Sequence, residues 1–350
     1  MHWAIKSISD IKELHLSHRN WNSALSHAHS MLIASAPGEV VCITGPSRAG
    51  KSRLIDSLGK LLICGNDFEN RGLMPVVKIL ATNCSVGGTF SSKAFTLRAL
   101  DAVKHPFYSE STFDSADWGA DFLKQLGRTP ETVLRPALEK SFIHRKTMYV
   151  FIDEAQHVLY ARGGKKDAEA ILNSWKCLAQ STGAVLVLVG AYPLLDAISL
   201  CPHLIGRRHQ IHIPRYRATD EDLKVFLELL NSYSELVTLE PGIKSLTEFS
   251  DLLYEGSFGC IGLLGAWIRE ALAFVLARDD QFLTEGHFLM AHKIEKDRQM
   301  VAAEIKNGED LLFANEDIKF QDIVDTPKTK KRKKKPFVRN PRRHKIAGRK

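Results

Sequence analysis

GEVVCITGPSRAGKS, residues 38–52, decides the fold. Its apolar, β-branched start (Val40, Val41, Ile43) reads as a strand. Gly45, Pro46, Ser47, Arg48, Ala49, Gly50, Lys51 and Ser52 then form a full G-x-x-x-x-G-K-S loop, and a helical pattern runs from Arg53 through Leu62. Strand, loop and helix in this order make a phosphate cradle. Glycines at 45 and 50 let the backbone curl around phosphate oxygens, the amides of residues 48–52 point inward, and the helix N-terminus adds favourable potential. Lys51 would reach the β and γ phosphates and Ser52 would ligate magnesium, so ATP with Mg2+ is the expected ligand. A chance match in a chain this long is on the order of one in a hundred, and the correct flanks lower it further.

Four more runs read as strands: PVVKILAT (75–82), TMYVFIDE (147–154), AVLVLVGA (184–191) and HQIHIPRY (209–216). Helical patterns lie between them, the clearest over 165–180, where Ala168, Ile171, Leu172, Trp175, Leu178 and Ala179 share a face. Strands alternating with helices predict an α/β fold with a parallel five-stranded sheet covered on both sides. The third strand delivers Asp153 and Glu154 at its C-terminal edge, where ligands sit in open α/β sheets. Asp153 is expected to hold the magnesium shell. Glu154, read as lying on the opposite pleat, is expected to polarise a water for attack on the γ phosphate, which points to NTP hydrolysis rather than binding alone.

After Tyr216 the strand signals stop. Thr219 and Asp220 can cap a helix through about Tyr233, and Ile261, Leu264, Ile268, Leu272 and Val275 form one stripe, so a small helical lid is expected over 217–290. From about Ala291 the sequence is charged and weakly periodic. No repeat of solenoid or propeller length is apparent.

The chain has 350 residues, 44% hydrophobic and 25% charged, as expected of a soluble protein. Its six cysteines form no C-x-x-C pair, and neither a disulfide framework nor a thiolate zinc site is suggested; a reducing, cytoplasmic compartment fits. The start lacks the apolar core of a secretory signal, and no run approaches membrane-spanning length. The net charge of +8 is unevenly spread: residues 326–350 hold thirteen Lys or Arg and no acid, leaving the first 325 residues at 35 minus 40, or −5. With almost no large apolar residue, this tail is expected to be a disordered basic arm that grips nucleic-acid phosphates or an acidic partner surface. A nuclear-import reading of KTKKRKKK is also open.

GPSRAGKS, YVFIDEAQH, ILNSWKCLAQSTGAVLVLVGAYPLL and HLIGRRHQIHIPRY, in this order and spacing, resemble the TnsC/TniB-type AAA+ ATPases that regulate DNA transposition, over roughly residues 20–280. The resemblance implies an AAA+ P-loop core over 35–216, after an N-terminal extension (1–34, with a helix around Ser23 to Ser35) and before the lid. A polar connecting segment (291–325) and the basic tail (326–350) follow. It also implies subunits that assemble as a ring or filament on double-stranded DNA and connect a TniQ-type targeting protein, sometimes attached to an RNA-guided complex, to a transposase. Arg207 and Arg208, before the fifth strand, stand where such proteins present a finger to the neighbouring subunit's γ phosphate. Lys93 and the Arg162-Gly-Gly-Lys165-Lys166 loop stand where DNA would be met.

Two departures are visible. Ala191 and Tyr192 replace the polar residue that commonly follows the fourth strand's glycine, and Gly259 to Gly262 occupy the place of a lid arginine, with Arg269 two turns on. Slow or partner-dependent hydrolysis is the expectation. A replication initiator or helicase loader is the alternative within the nucleotide-binding class; a small-molecule kinase, whose arginines would line an acceptor pocket, is the alternative outside it. A scaffold that uses ATP as a structural switch overlaps with the leading reading.

Overall fold

The computed structural model describes residues 2–14, 16–64, 68, 71–83, 87–109, 128–202 and 208–313. Arg207 and the whole basic tail therefore lie outside the described residues. Residues 1–308 form one compact unit.

Two helices come first, α1 (Trp3–Glu13) and α2 (Arg19–Ala34), followed by β1 (Val40–Thr44) and α3 (Lys51–Ile63). Then come β2 (Val76–Leu80), α4 (Ser92–Ala102), α5 (Glu131–His144), β3 (Tyr149–Asp153), α6 (Lys165–Thr182), β4 (Val185–Gly190), α7 (Pro193–Ser199) and β5 (Arg208–His212). The five strands form one parallel sheet in the order β2-β3-β4-β1-β5. All five expected strands are present. Burial follows position: every residue of β1, β3 and β4 is buried, whereas the edge strands β2 and β5 are partly exposed. That is why the central strands read as unbroken apolar runs. The fifth is shorter than its sequence pattern, because Pro214 has no N–H to extend the ladder beyond the bond from Ile213 N to Thr44 O.

Period-two alternation divides the sheet between two cores. Val40, Cys42, Val150, Ile152, Leu186 and Leu188 face α4, α5 and α6, with Trp175 and Phe95 filling that side. Val41, Ile43, Phe151, Val187 and Val189 face α2 and α3.

The helical region comprises α8 (Asp220–Ser234), α9 (Ser250–Ser257), α10 (Ile261–Arg278) and α11 (Glu285–Met290). Thr219 caps α8 by accepting from Asp222 N at 3.4 Å. Leu264, Ile268, Leu272 and Val275 are fully buried in this region's own core, which also takes in Ala4 and Ile11 of α1. Helix α1 thus belongs to the lid side and α2 to the sheet side, and the link between them runs past the phosphate loop. Within the segment expected as a polar connector, residues 295–313 form a further helix, α12 (Glu295–Phe313). Among the described residues no single helix is long and apolar enough to cross a membrane.

Candidate nucleotide site

The sheet order explains the site. With β4 between β1 and β3, the phosphate loop and Asp153 leave the same sheet edge about 10 Å apart, two strand spacings. Helix α3 closes that gap: Ser52 in its first turn donates its hydroxyl to Asp153 Oδ2 at 2.8 Å. The loop itself needs left-handed backbone at Arg48 (φ 62°) and at the helix-capping Gly50 (φ 85°).

Lys51 is buried and donates to the carbonyls of Gly45 (3.2 Å) and Pro46 (2.8 Å). Burial pushes its ammonium below the ordinary lysine range, opposed by Glu154, Glu304 and Asp153. Asp153 is 3% exposed, so its charge acts in a poorly screened setting. A hydroxyl and a carboxylate already in contact, both hard oxygen donors, suit Mg2+. The buried lysine beside them suits phosphate.

Glu154 departs from its expected place on the strand pleat. The strand ends at Asp153, and Glu154 takes a left-handed turn (φ 56°) with its N–H on Asp153 Oδ1 at 3.0 Å. Its carboxylate accepts from Gln156 Nε2, and Gln156 packs directly against Gly190 at the end of β4. Gln156 is a positioning residue that the sequence reading did not single out.

Glu154, Lys51 and the loop open into a cleft of about 590 Å³ whose other walls carry Trp21, His18 and Arg269. Arg269, set aside in the sequence as two turns too late, does line this cleft. Burial, then the neighbouring Arg48, pushes its guanidinium below the ordinary range, so two arginine charges are gathered on one wall. The missed signal was Gly262, Gly265 and Arg269 on one side of α10, away from the Leu264–Ile268–Leu272 stripe. A Cβ on Gly262 would sit 1.9 Å from Arg48 O, so the lid helix lies directly on the phosphate loop. Tyr192, two residues after Gly190, is buried and its hydroxyl lies 3.0 Å from His212 Nε2.

Arg208 is the first residue of β5, in register with Val40, whereas the phosphate loop follows Thr44 at the other end of β1. Four residues of strand, about 13 Å, separate the two levels. Lys93 lies in the first turn of α4 rather than in a loop, and Lys165 and Lys166 in the first turn of α6. A parallel bridge pairs Phe90 with Ala161, and Phe90 N donates to Tyr160 O at 3.0 Å. The segment before α4 and the Arg162 loop are thereby joined.

A profile of the AAA domain matches residues 36–198. No curated protein matches the chain in sequence. Among solved structures, the Aeropyrum pernix ORC2 protein in its ADPNP–ADP complexes superposes with a TM-score of 0.48 at 14% identity, over 80% of this chain and 69% of that one. A Walker-type ATPase of Pyrococcus abyssi gives 0.44 at 15%, over 84% and 75%. Drosophila ORC bound to DNA gives 0.46 at 12%, over 83% and 65%. With the phosphate loop, the carboxylate strand and the 2-3-4-1-5 sheet in place, the profile match makes residues 36–198 an AAA-type P-loop ATPase domain.

Proposed function

We propose that this chain is an ATP-dependent, DNA-binding adaptor of transposition, with residues 35–216 as its ATPase core and 217–290 as its lid. ATP held with Mg2+ on Lys51, Ser52 and Asp153 would drive assembly of a ring or filament on double-stranded DNA. The assembly would connect a TniQ-type targeting protein to transposase subunits. When bound, Mg2+ would neutralise charge on the phosphates; Lys51 binds and orients them, and Glu154 accepts a proton from the attacking water.

The observation that carries this reading is the paired basic surface around the Phe90–Ala161 bridge. Lys93, Arg162, Lys165 and Lys166 lie at two helix N-termini, where they outnumber the two carboxylates already there, Asp167 on Gly163 N and Glu131 on the Ser92 and Thr96 hydroxyls, and leave an excess of positive charge. Phosphate groups relieve that charge, and they carry no sequence information, so targeting falls to a partner. Arg208 supports action between subunits, since at the far end of β1 it does not serve its own phosphate loop.

The test is sedimentation and negative-stain imaging with linear duplex DNA, comparing ATP, a non-hydrolysable analogue, ADP and no nucleotide. Rings or filaments that require a triphosphate are expected. A monomer that ignores DNA in every state would turn attention to a small phosphate acceptor and the kinase alternative.

A further inference from the structure

Helix α12 packs back against residues of the nucleotide site. The α1–α2 link, with His18 and Trp21, closes the nucleotide cleft on one side, and the N-terminal end of α10 covers the loop. Tyr192 follows the C-terminal end of β4, the strand between the phosphate loop of β1 and Asp153 of β3. Helix α12 packs on Tyr192 there, and three successive positions on one of its faces look toward the site. Val301 shares a small cavity with Arg48 of the phosphate loop. Glu304, one turn on, is half-buried and within electrostatic reach of Lys51, with no direct ion pair between them. Gly308, a further turn on, lies so close to the Tyr192 ring that a Cβ there would fall 2.0 Å from its Cγ. Ile305, on the same face, is 4% exposed.

Burial pushes the Glu304 carboxyl above its ordinary range while the Lys51 ammonium pulls it down. Nucleotide phosphates brought to Lys51 meet this carboxylate as like charge in a partly desolvated site, and ATP brings one phosphate and its charge more than ADP.

We infer that helix α12 is a latch over the nucleotide site, held by Gly308 on Tyr192, with the Glu304 carboxylate turned toward the charge of Lys51. A triphosphate displaces it and so uncovers the face on which a second copy of this chain docks. This rests on the ATPase reading above. It would give the chain a means of telling ATP from ADP through a helix, where Tyr192 stands in place of a polar sensor. The population shift follows from the difference in charge between the two nucleotides.

Three full-length variants test it: Glu304→Gln, Gly308→Leu, and Met300→Ala as a control on the 64% exposed side of the same helix. Nucleotide affinity is titrated by tryptophan fluorescence with ADP and with a non-hydrolysable ATP analogue, and tryptic cleavage after the exposed Lys306 reports release of the helix. Removing the Glu304 charge is expected to tighten the ATP analogue about three- to tenfold and leave ADP within about twofold. In the parent and the control, the ATP analogue but not ADP should speed cleavage, and Gly308→Leu should cleave fast in every state. Equal effects on the two nucleotides, or variants indistinguishable from a nucleotide-binding parent with cleavage unaffected by nucleotide, would overturn the latch alone. A parent that binds no nucleotide would overturn the ATPase reading and the latch with it.

Discussion

Glu154 and Gln156 show how a single turn sets where a carboxylate stands. Because the strand ends at Asp153, the Glu154 carboxylate hangs in a left-handed turn and is held by the Gln156 amide, rather than projecting from a pleat. Glu154→Gln should lower ATP turnover on the order of a hundredfold or more with ATP affinity little changed, because a proton acceptor is lost and no phosphate contact is. Steady-state turnover beside equilibrium binding checks the split; a fall in affinity alone would assign Glu154 to binding. His18 gives a second residue-scale expectation. Its Nδ1 sits 3.4 Å from Trp21 N, whose hydrogen bond it accepts, and 2.9 Å from the Tyr216 hydroxyl, and burial lowers its pKa from 6.5 to about 4. The native state thus holds the neutral ring while the unfolded chain takes up a proton below about pH 6.5, so stability should fall as pH drops from 6.5 toward 4. Urea midpoints measured across that window should fall less in His18→Asn, which keeps a cap acceptor without the titration. The phosphate loop was legible because all its parts lie within eight consecutive residues. Arg269 and Gln156 were not, because they reach the cleft only through the docking of a helix and the shape of a turn.

At the scale of elements, the strands were readable where neighbours on both faces demand apolar side chains, and least readable at the edge, where Pro214 rather than hydrophobicity ends β5. Helix α12 escaped for the opposite reason. Its inward face consists of Val301, Glu304, Ile305 and Gly308, so a buried glycine and a carboxylate stand where an amphipathic pattern would show apolar bulk. Helix α10 carries both kinds of information, an apolar stripe for its core and small residues toward the phosphate loop. Its contact with the loop depends on Gly262, whose missing side chain leaves room for the Arg48 carbonyl. Gly262→Ala should therefore destabilise the fold by about 1–3 kcal/mol in chemical unfolding and weaken ATP binding in step, since lid and loop must separate to admit one methyl group. An alanine variant with parental stability and affinity would mean that the two elements move apart freely.

For the whole molecule, charge is the argument. The first 325 residues carry −5, so on average they repel DNA, and attraction must come from a local surface or from the thirteen basic residues of 326–350. The two sources differ in a measurable way. The surface around the Phe90–Ala161 bridge is part of the folded ATPase domain, so its engagement should depend on nucleotide through assembly. A tail of basic residues needs no nucleotide to meet a phosphate. Each cation that neutralises one phosphate of B-DNA contributes about 0.9 to the slope of log affinity against log salt concentration. Reversing Lys93, Arg162, Lys165 and Lys166 together to Glu should thus flatten the slope by about three to four for each bound subunit, and only in the presence of a triphosphate. Deleting 326–350 should flatten it equally with and without nucleotide. If the four-fold reversal leaves slope and affinity as they were, the joined helix N-termini are not the DNA surface, and contact must then run through the tail or another face. If it abolishes triphosphate-dependent binding while the ATPase rate without DNA is unchanged, the four cations act on the nucleic acid and not on the nucleotide.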